Sequence, residues 1–497
     1  MASMTLSTAF ARNFLGASPL WYKWTICGFL IANPLFLLAL GPYATGWLIM
    51  LEFIFTLAMA LKCYPLQSGG LIAIEAVALG MTSSEHVLAE VSNNVEVILL
   101  LIFMVAGIFF MKDLLLTSFT KLFLGVRRKW LLSLLFTAFA ALLSAFLDAL
   151  TVTAVIIAVA GGFYALYKRV VHGIHESHVN FEDAVPDGED VVLDEFRACL
   201  RSLLMHGAVG TALGGVCTTV GEPQNLLIAA RVGWEFQEFF IAMAPATIPV
   251  LFAGLAMTIL LEKTRWFGYG TEVPPKLLEI LRQAEAKRVA EQTNLDRARL
   301  CVQALAAVFL VVALAFHLAA VGIIGLSVMI LQTAFNGITE EHWLGEAFHE
   351  ALPFAALLVV FFVIVAVIHD QHLFSGVLTW VFAQPQSSQA SLFFLANGAL
   401  SAVSDNVFVA TVYINEVAER FNAGDMSRAH FERIAVAVNT GTNLLSVATP
   451  NGQAAFLFLL TSSVAPLVRL SYGRMLLMAL PYTMLLATVG YLAVGRL

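Results

Sequence analysis

The stretch Leu143–Ile157, LSAFLDALTVTAVII, sets one carboxylate, Asp148, inside a run of membrane-grade apolar residues. The pattern returns 257 residues later as Leu400–Ile414, LSAVSDNVFVATVYI, with Asp405 in register and seven of the fifteen positions identical. A carboxylate within a bilayer costs about 2.5–3.5 kcal/mol on insertion scales and marks a functional position by default. One such aspartate could simply pair with a helix end. Two in register point to a shared role.

The surroundings say what kind of element carries them. Trp130–Tyr167 is a continuous apolar segment of 38 residues. One straight span takes about 20 residues, so the segment is too long for one span and short for two with an ordinary loop. A re-entrant hairpin of two short helices, with its tip near Asp148, fits both facts, and Ser391–Val417 reads as a second hairpin around Asp405. Irregular backbone at that depth is tolerated only where protein or water covers it.

The whole chain agrees with a membrane setting. Its 497 residues are 60% hydrophobic and 12% charged, where soluble domains carry roughly 25% charged residues. The mean hydropathy is +0.85. The predicted class is an all-α polytopic membrane protein; the short alternating segments of a β-barrel do not occur. No basic tract suggests nucleic acid. The five scattered cysteines read as apolar thiols, and the first apolar run, Trp24–Leu40, as an uncleaved helix without a small-residue cleavage site.

Outward from the hairpins, spans are predicted near 24–41, 46–62, 66–80 and 97–111, with an acidic stretch at Met81–Glu96 and a basic turn at Arg127, Arg128 and Lys129. Lys168–Arg201 reads as a polar loop, and helix resumes near Ser202. That helix meets Thr218-Thr219-Val220-Gly221-Glu222-Pro223-Gln224-Asn225, where Gly and Pro must break it. A long span follows at 234–261. Glu262–Arg299 is hydrophilic, with a surface helix marked by Leu277, Ile280, Leu281 and Ala284. The order then repeats. Spans near 301–320 and 321–335, an acidic loop at 336–350 and a span at 352–368 lead to the second hairpin, and a second break follows at Thr449-Pro450-Asn451-Gly452-Gln453. Asp370 also lies 257 residues after Asp113. Five regions result: 1–129, scaffold spans; 130–261, first hairpin and broken helix; 262–299, linker; 300–384, scaffold spans of the second half; 385–497, second hairpin, broken helix and last span. His206 and His317 are expected to be packed, and Glu52 and Glu75 to lie near interfaces or in helix contacts.

Repeated halves with helices interrupted at corresponding positions are the best sequence pointer to a secondary-transporter binding site. A break frees carbonyls and N–H groups at mid-membrane, and hydroxyl and amide side chains can complete a cage of hard oxygens for a small cation. The candidates are Thr218, Thr219, Glu222, Gln224 and Asn225 at the first break, Asn439, Thr440, Thr442, Asn443, Thr449, Asn451 and Gln453 at the second, and Thr151, Ser404 and Asn406 beside the two aspartates. A carboxyl group out of water favours its protonated form and a bound cation favours its ionised form, so competition at Asp148, Asp405 and Glu222 suffices to couple sodium to protons. Aligning Gln224 with Gln453 sets Glu222 opposite Asn451. An anion or dicarboxylate carrier on the same architecture would want cationic residues at the breaks, and only Arg231 is near. The chain holds no GK dipeptide, hence no P-loop, and no HExxH or GxSxG motif. Neither an ATP-driven pump nor a familiar hydrolase fits, and no cofactor is expected.

The segments RNFLGASPLWYK (Arg12–Lys23), SAFLDALTVTAV (Ser144–Val155), TTVGEPQNLLIA (Thr218–Ala229), SDNVFVATVYINE (Ser404–Glu416) and NTGTNLLSVATPNGQAAFLFLL (Asn439–Leu460) resemble the NhaB family of bacterial sodium/proton antiporters, in the ion transporter superfamily. The resemblance spans essentially the whole chain. It implies inner-membrane exchange of Na⁺ or Li⁺ for protons, electrogenic, with Asp148 as the family's intramembrane aspartate. It also implies inverted repeats, two re-entrant hairpins, and a homodimer moving by an elevator-like step.

Overall fold

One glycine decides the shape of the first apolar segment. In the computed structural model, which describes residues 6–172 and 191–497, Leu20–Ala58 is helical except at Gly41, with φ 81° and ψ 178°, and Pro42 follows it. Glycine alone takes that conformation cheaply. A straight helix of 39 residues would approach 60 Å at 1.5 Å per residue. Instead the rings of Tyr22 and Phe55 lie 5.9 Å apart. The chain therefore folds back into two antiparallel spans, as the sequence reading expected, with no loop between them.

Pro65–Ala78 packs on this pair. The acidic stretch is helical: Ser84–Asn93 is a polar helix, N-capped by the Ser83 side chain, and the chain bends by 63° into Val95–Phe109. A π turn at Leu100–Met104 interrupts that helix where Val321–Phe335 crosses it. The crossing is backbone to backbone. A Cβ on Gly107 would come within 2.7 Å of the Gly325 carbonyl, and one on Gly325 within 2.7 Å of Met104. Small residues of this kind let membrane helices approach closely.

Both hairpins are present. Lys129–Ser144 and Ala149–His172 flank Ala145–Asp148, and Gln386–Ser401 and Asn406–Asn422 flank Ala402–Asp405. Side chains from both arms meet. Phe136 and Ile156 both border Gly207, and the rings of Phe393 and Tyr413 are 6.2 Å apart. The outer arm of the first is longer than the sequence suggested, with 19 residues apolar enough to span.

Each hairpin's first arm packs along the helix that leads to the break: Lys129–Ser144 on Val191–Gly215, and Gln386–Ser401 on Arg428–Leu445. Each second arm packs on that helix as well, and also on the half-helix beyond the other half's break, Ala149–His172 on Ala454–Thr461 and Asn406–Asn422 on Pro223–Val232. The halves are thus interleaved. Arg201, beside the first hairpin's open end, bonds the Val468 carbonyl beyond the second half-helix. Arg231, at the end of the first half-helix, lines a cavity with Glu419 and Asn422 at the second hairpin's open end. The two hairpins open toward opposite ends of the broken helices.

Several sequence expectations change. Val191–Gly215 begins eleven residues before the predicted Ser202, while residues 173–190 of the predicted polar loop lie outside the described residues. Residues 112–125, left unassigned, form a helix. Lys129 is no surface turn residue. It is buried and bonds Glu262, which belongs to the long helix Phe236–Thr264 rather than to the linker. His206 is packed as expected, between Glu262 and the Tyr482 hydroxyl. His317 is not: it sits exposed in a turn at φ 47°. Among the cysteines Cys199 and Cys217 are buried, and Cys301 is exposed. The linker helix is present as Pro275–Ala290, with Leu277 and Leu281 buried against the protein.

Candidate functional site

Each hairpin tip is locked to its own break by the same contact. The Thr218 hydroxyl donates to the Ala145 carbonyl, and the Thr449 hydroxyl to the Ala402 carbonyl. The glycines beside them follow suit. A Cβ on Gly221 would lie 2.6 Å from the Ser144 carbonyl, and one on Gly452 2.5 Å from the Ser401 carbonyl. These contacts fix the equivalence of the breaks at 231 residues, Thr218 to Thr449 and Gly221 to Gly452. The alignment of Glu222 with Asn451 is therefore wrong. Glu222 corresponds to Gln453.

Those two equivalent residues touch. Gln453 Nε2 donates to Glu222 Oε1 at 2.8 Å, both side chains being buried. Each occupies the N-cap position of the half-helix that follows, Pro223–Val232 and Ala454–Thr461. A second tier of bonds ties the halves together beside this contact. Gln224 donates to Asn443 at 2.9 Å, Asn443 to Asn225 at 3.1 Å, and Asn439 to the Val216 carbonyl at 3.3 Å. Asn225 also bridges its own break, donating to the Gly215 and Thr218 carbonyls at 2.6 Å each. It braces the backbone as much as it lines a site. Thr440 and Thr442 spend their hydroxyls on carbonyls of their own helix.

Both aspartates lie at the tips, where the sequence placed them; Asp148 is buried and Asp405 half-buried. Each uses one oxygen to cap the helix that follows. Asp148 Oδ2 accepts from the Thr151 N–H at 3.1 Å and hydroxyl at 3.4 Å, and Asp405 Oδ1 from the Val407 and Phe408 N–H groups at 2.9 and 3.3 Å. This is an ordinary N-cap, and it leaves each carboxylate a second oxygen. Both aspartates lie within electrostatic reach of Glu222, so the two tips and the first break share one polar centre.

Around that centre, among the described residues, are buried oxygens with no partner, the hydroxyls of Ser144, Thr219 and Ser404 and the Gln224 Oε1, while the Asn406 side chain faces Glu222. Buried polar groups are nearly always satisfied, and all four of these are oxygens. Ser144 was not among the sequence candidates; its identity with Ser401 in the repeat was the signal for it. Asn451 points elsewhere, donating to the Ala58 carbonyl at the end of the first scaffold hairpin at 2.5 Å. Arg231 is remote. It ends the first half-helix, about 13 Å along it at 1.5 Å per residue, and lies 3.6 Å from Glu90.

The chain matches the family described as bacterial Na⁺/H⁺ antiporter B (NhaB) over residues 2–496. It belongs to the NhaB family. Among its relatives, a protein of Hahella chejuensis named Na⁺/H⁺ antiporter NhaB is 61% identical over 99% of both chains. One of that name from Teredinibacter turnerae is 62% identical over 100% of this chain and 99% of its own, and one from Pseudomonas putida is 59% identical over 99% of both. Within this NhaB chain, no group of three or more His, Cys, Asp or Glu side chains is arranged to hold a metal ion among the described residues. The polar centre combines carboxylates with hydroxyl and amide oxygens instead.

Proposed function

We propose that this protein is a secondary antiporter of the bacterial inner membrane that exchanges Na⁺ for protons at the centre formed by Asp148, Glu222 and Asp405. The observation that carries the reading is the bond between Gln453 and Glu222. It joins the two helix breaks at the point where both hairpin-tip aspartates act on the same carboxylate. Three carboxylates in an apolar surround favour the cation-bound or protonated state over the empty ionised one. Na⁺ would be held by carboxylate oxygens and by the unpartnered Ser144, Thr219, Ser404 and Gln224 oxygens, with Thr151, Asn406, Asn225 and Asn443 holding the cage. Protons and Na⁺ displace one another there, and alternating access converts that competition into exchange.

The finer reading is part of the same proposal. The halves are inverted repeats; regions 130–261 and 385–497 move as a transport unit against scaffold regions 1–129 and 300–384, linked by 262–299; Li⁺ replaces Na⁺; and the protein works as a homodimer by an elevator-like step with electrogenic stoichiometry. The hairpins' opposite openings support the inversion. The rival anion carrier lacks its cation, since Arg231 faces Glu90 away from the breaks.

The test is a Na⁺ pulse applied to proteoliposomes holding an imposed pH gradient. Wild type collapses the gradient; Asp148→Asn with Asp405→Asn abolishes the response at equal protein level. An intact response in that double variant removes the site assignment. Movement of a dicarboxylate and of no cation by wild type removes the function.

A further inference from the structure

Three consecutive apolar helices of the scaffold each contribute one polar side chain, and the three meet. Asn33 comes from the first arm of Leu20–Ala58, Glu52 from the second and Glu75 from Pro65–Ala78. Asn33 Nδ2 donates to Glu52 Oε2 at 2.8 Å and to Glu75 Oε2 at 2.7 Å, so one amide holds two carboxyl groups together. Asn33 is fully buried and Glu52 is 3% exposed, and the Asn33 Oδ1 and Glu52 Oε1 have no partner. No cationic side chain forms an ion pair with either glutamate among the described residues.

The ionisable groups on the elements packed around them are engaged elsewhere. Tyr22 donates to Ser68, and Lys23 to the carbonyls of Ala11, Arg12 and Gly16. His369 pairs with Glu419, and Asp370 with Thr82 and His86. Buried Glu52 and half-buried Glu75, held to one amide nitrogen with no counter-cation, cannot both stay ionised without a large cost; a shared proton is the usual solution. The fold does not demand them. At the 257-residue offset Glu75 corresponds to Gln332 and Glu52 to Phe309, and the Gln332 side chain bonds the Gly107 carbonyl rather than a carboxylate.

We propose that Glu52 and Glu75 form a second proton-binding site, a carboxyl dyad in the scaffold that holds one proton, bridged by Asn33. The ligand is a proton rather than Na⁺ because the amide already occupies one oxygen of each carboxyl group. Beside the outer oxygen of half-buried Glu75, only Glu52 Oε1 and Asn33 Oδ1 remain unpaired, enough for one hydrogen bond and too few for a cation cage. The helix that carries Glu52 touches the transport region. Six residues past Glu52, the Ala58 carbonyl accepts from Asn451 at the second break, and the Phe53 ring is 5.6 Å from that of Phe408 on the second hairpin.

Infrared titration of the full chain in lipid tests this. The spectrum of Glu52→Gln, and separately of Glu75→Gln, is subtracted from that of wild type at each pH in saturating Na⁺. The expected difference is one protonated-carboxyl carbonyl band at low pH, lost as pH rises, and missing for both variants alike. The same difference is expected in an Asp148→Asn, Glu222→Gln, Asp405→Asn background, which separates the dyad from the transport centre. Asn33→Leu removes the bridge and shifts the titration, whereas a purely structural role would change thermal stability with no titrating band. Absence of the band, or its loss in the triple-variant background, overturns the proposal. So does a band that Na⁺ displaces.

Discussion

At the scale of single residues, the contact between Glu222 and Gln453 separates the roles of the two halves. Position 222 carries the charge and position 453 the donor that orients it. Removing a hydrogen-bond donor from a charged group costs about 1.5–3 kcal/mol, or roughly ten- to a hundredfold in an equilibrium constant. Gln453→Ala should therefore weaken apparent Na⁺ affinity by about that factor, measured as the Na⁺ dependence of proton efflux, while Gln453→Glu, which adds a fourth carboxylate, shifts the antiport optimum to higher pH. Asp148 and Asp405 do two jobs, capping a helix and supplying a free oxygen. Asparagine keeps the cap and removes the charge, which is why it is the informative substitution.

At the scale of elements, the hairpins and breaks depend on glycines that admit another backbone. A methyl on Gly221 would meet Gly215 Cα at 2.5 Å and the Ser144 carbonyl at 2.6 Å, backbone atoms that cannot step aside. Overpacking of this kind costs typically 1–3 kcal/mol. Gly221→Ala, and Gly452→Ala in the other half, should each lower thermal stability in detergent by about that amount and disturb the tip. The two halves also solve one packing problem in opposite ways. Gly214 approaches Ala141 in the first; in the second, Leu445 fills the space over Gly398.

On the outer surface the polar helix Ser84–Asn93 is held to the end of Glu341–Asp370 by His86, whose Nδ1 lies 2.8 Å from Asp370. The hydrogen bond and charge of Asp370 pull the His86 pKa above its ordinary value. A raised pKa adds stability that is fully present below the ordinary histidine value of about 6.5 and is lost as pH rises through the raised value. The difference in melting temperature between wild type and His86→Ala should accordingly be present in mild acid and vanish in alkali.

At the scale of the whole molecule, the contacts between the outer helices and the hairpin region combine aromatic packing, such as Phe53 on Phe408, with a few polar bonds. Arg231 faces Glu90, His369 lies 2.5 Å from Glu419, and Asn451 reaches Ala58. The first two border a cavity of about 430 Å³ that also includes His86 and Asn415. If the hairpin region slides against the scaffold during exchange, these contacts must break. A disulfide between Glu90→Cys and Arg231→Cys, in a chain with its five cysteines replaced, should arrest antiport, and reduction should restore it. Unimpaired exchange with the bridge formed would exclude movement at this junction.

The sequence alone determined the helical spans, the hairpins with Asp148 and Asp405 at their tips, the two breaks and the repeat that relates them. All of these are written locally, in apolar runs of spanning length, in Gly and Pro where a helix must stop, and in a carboxylate too costly to be idle in lipid. Tertiary structure decided which polar atoms meet. The hairpins repeat at 257 residues and the breaks at 231, as the paired contacts of Thr218 and Thr449 establish. No single offset aligns both, so pairing Gln224 with Gln453 was a reasonable misreading of Glu222. The Asn33 bridge between Glu52 and Glu75 was hidden for the same reason. Side chains on separate helices carry no mark of their partners, and only the packing of apolar faces brings Glu222 to Gln453 across 231 residues of chain.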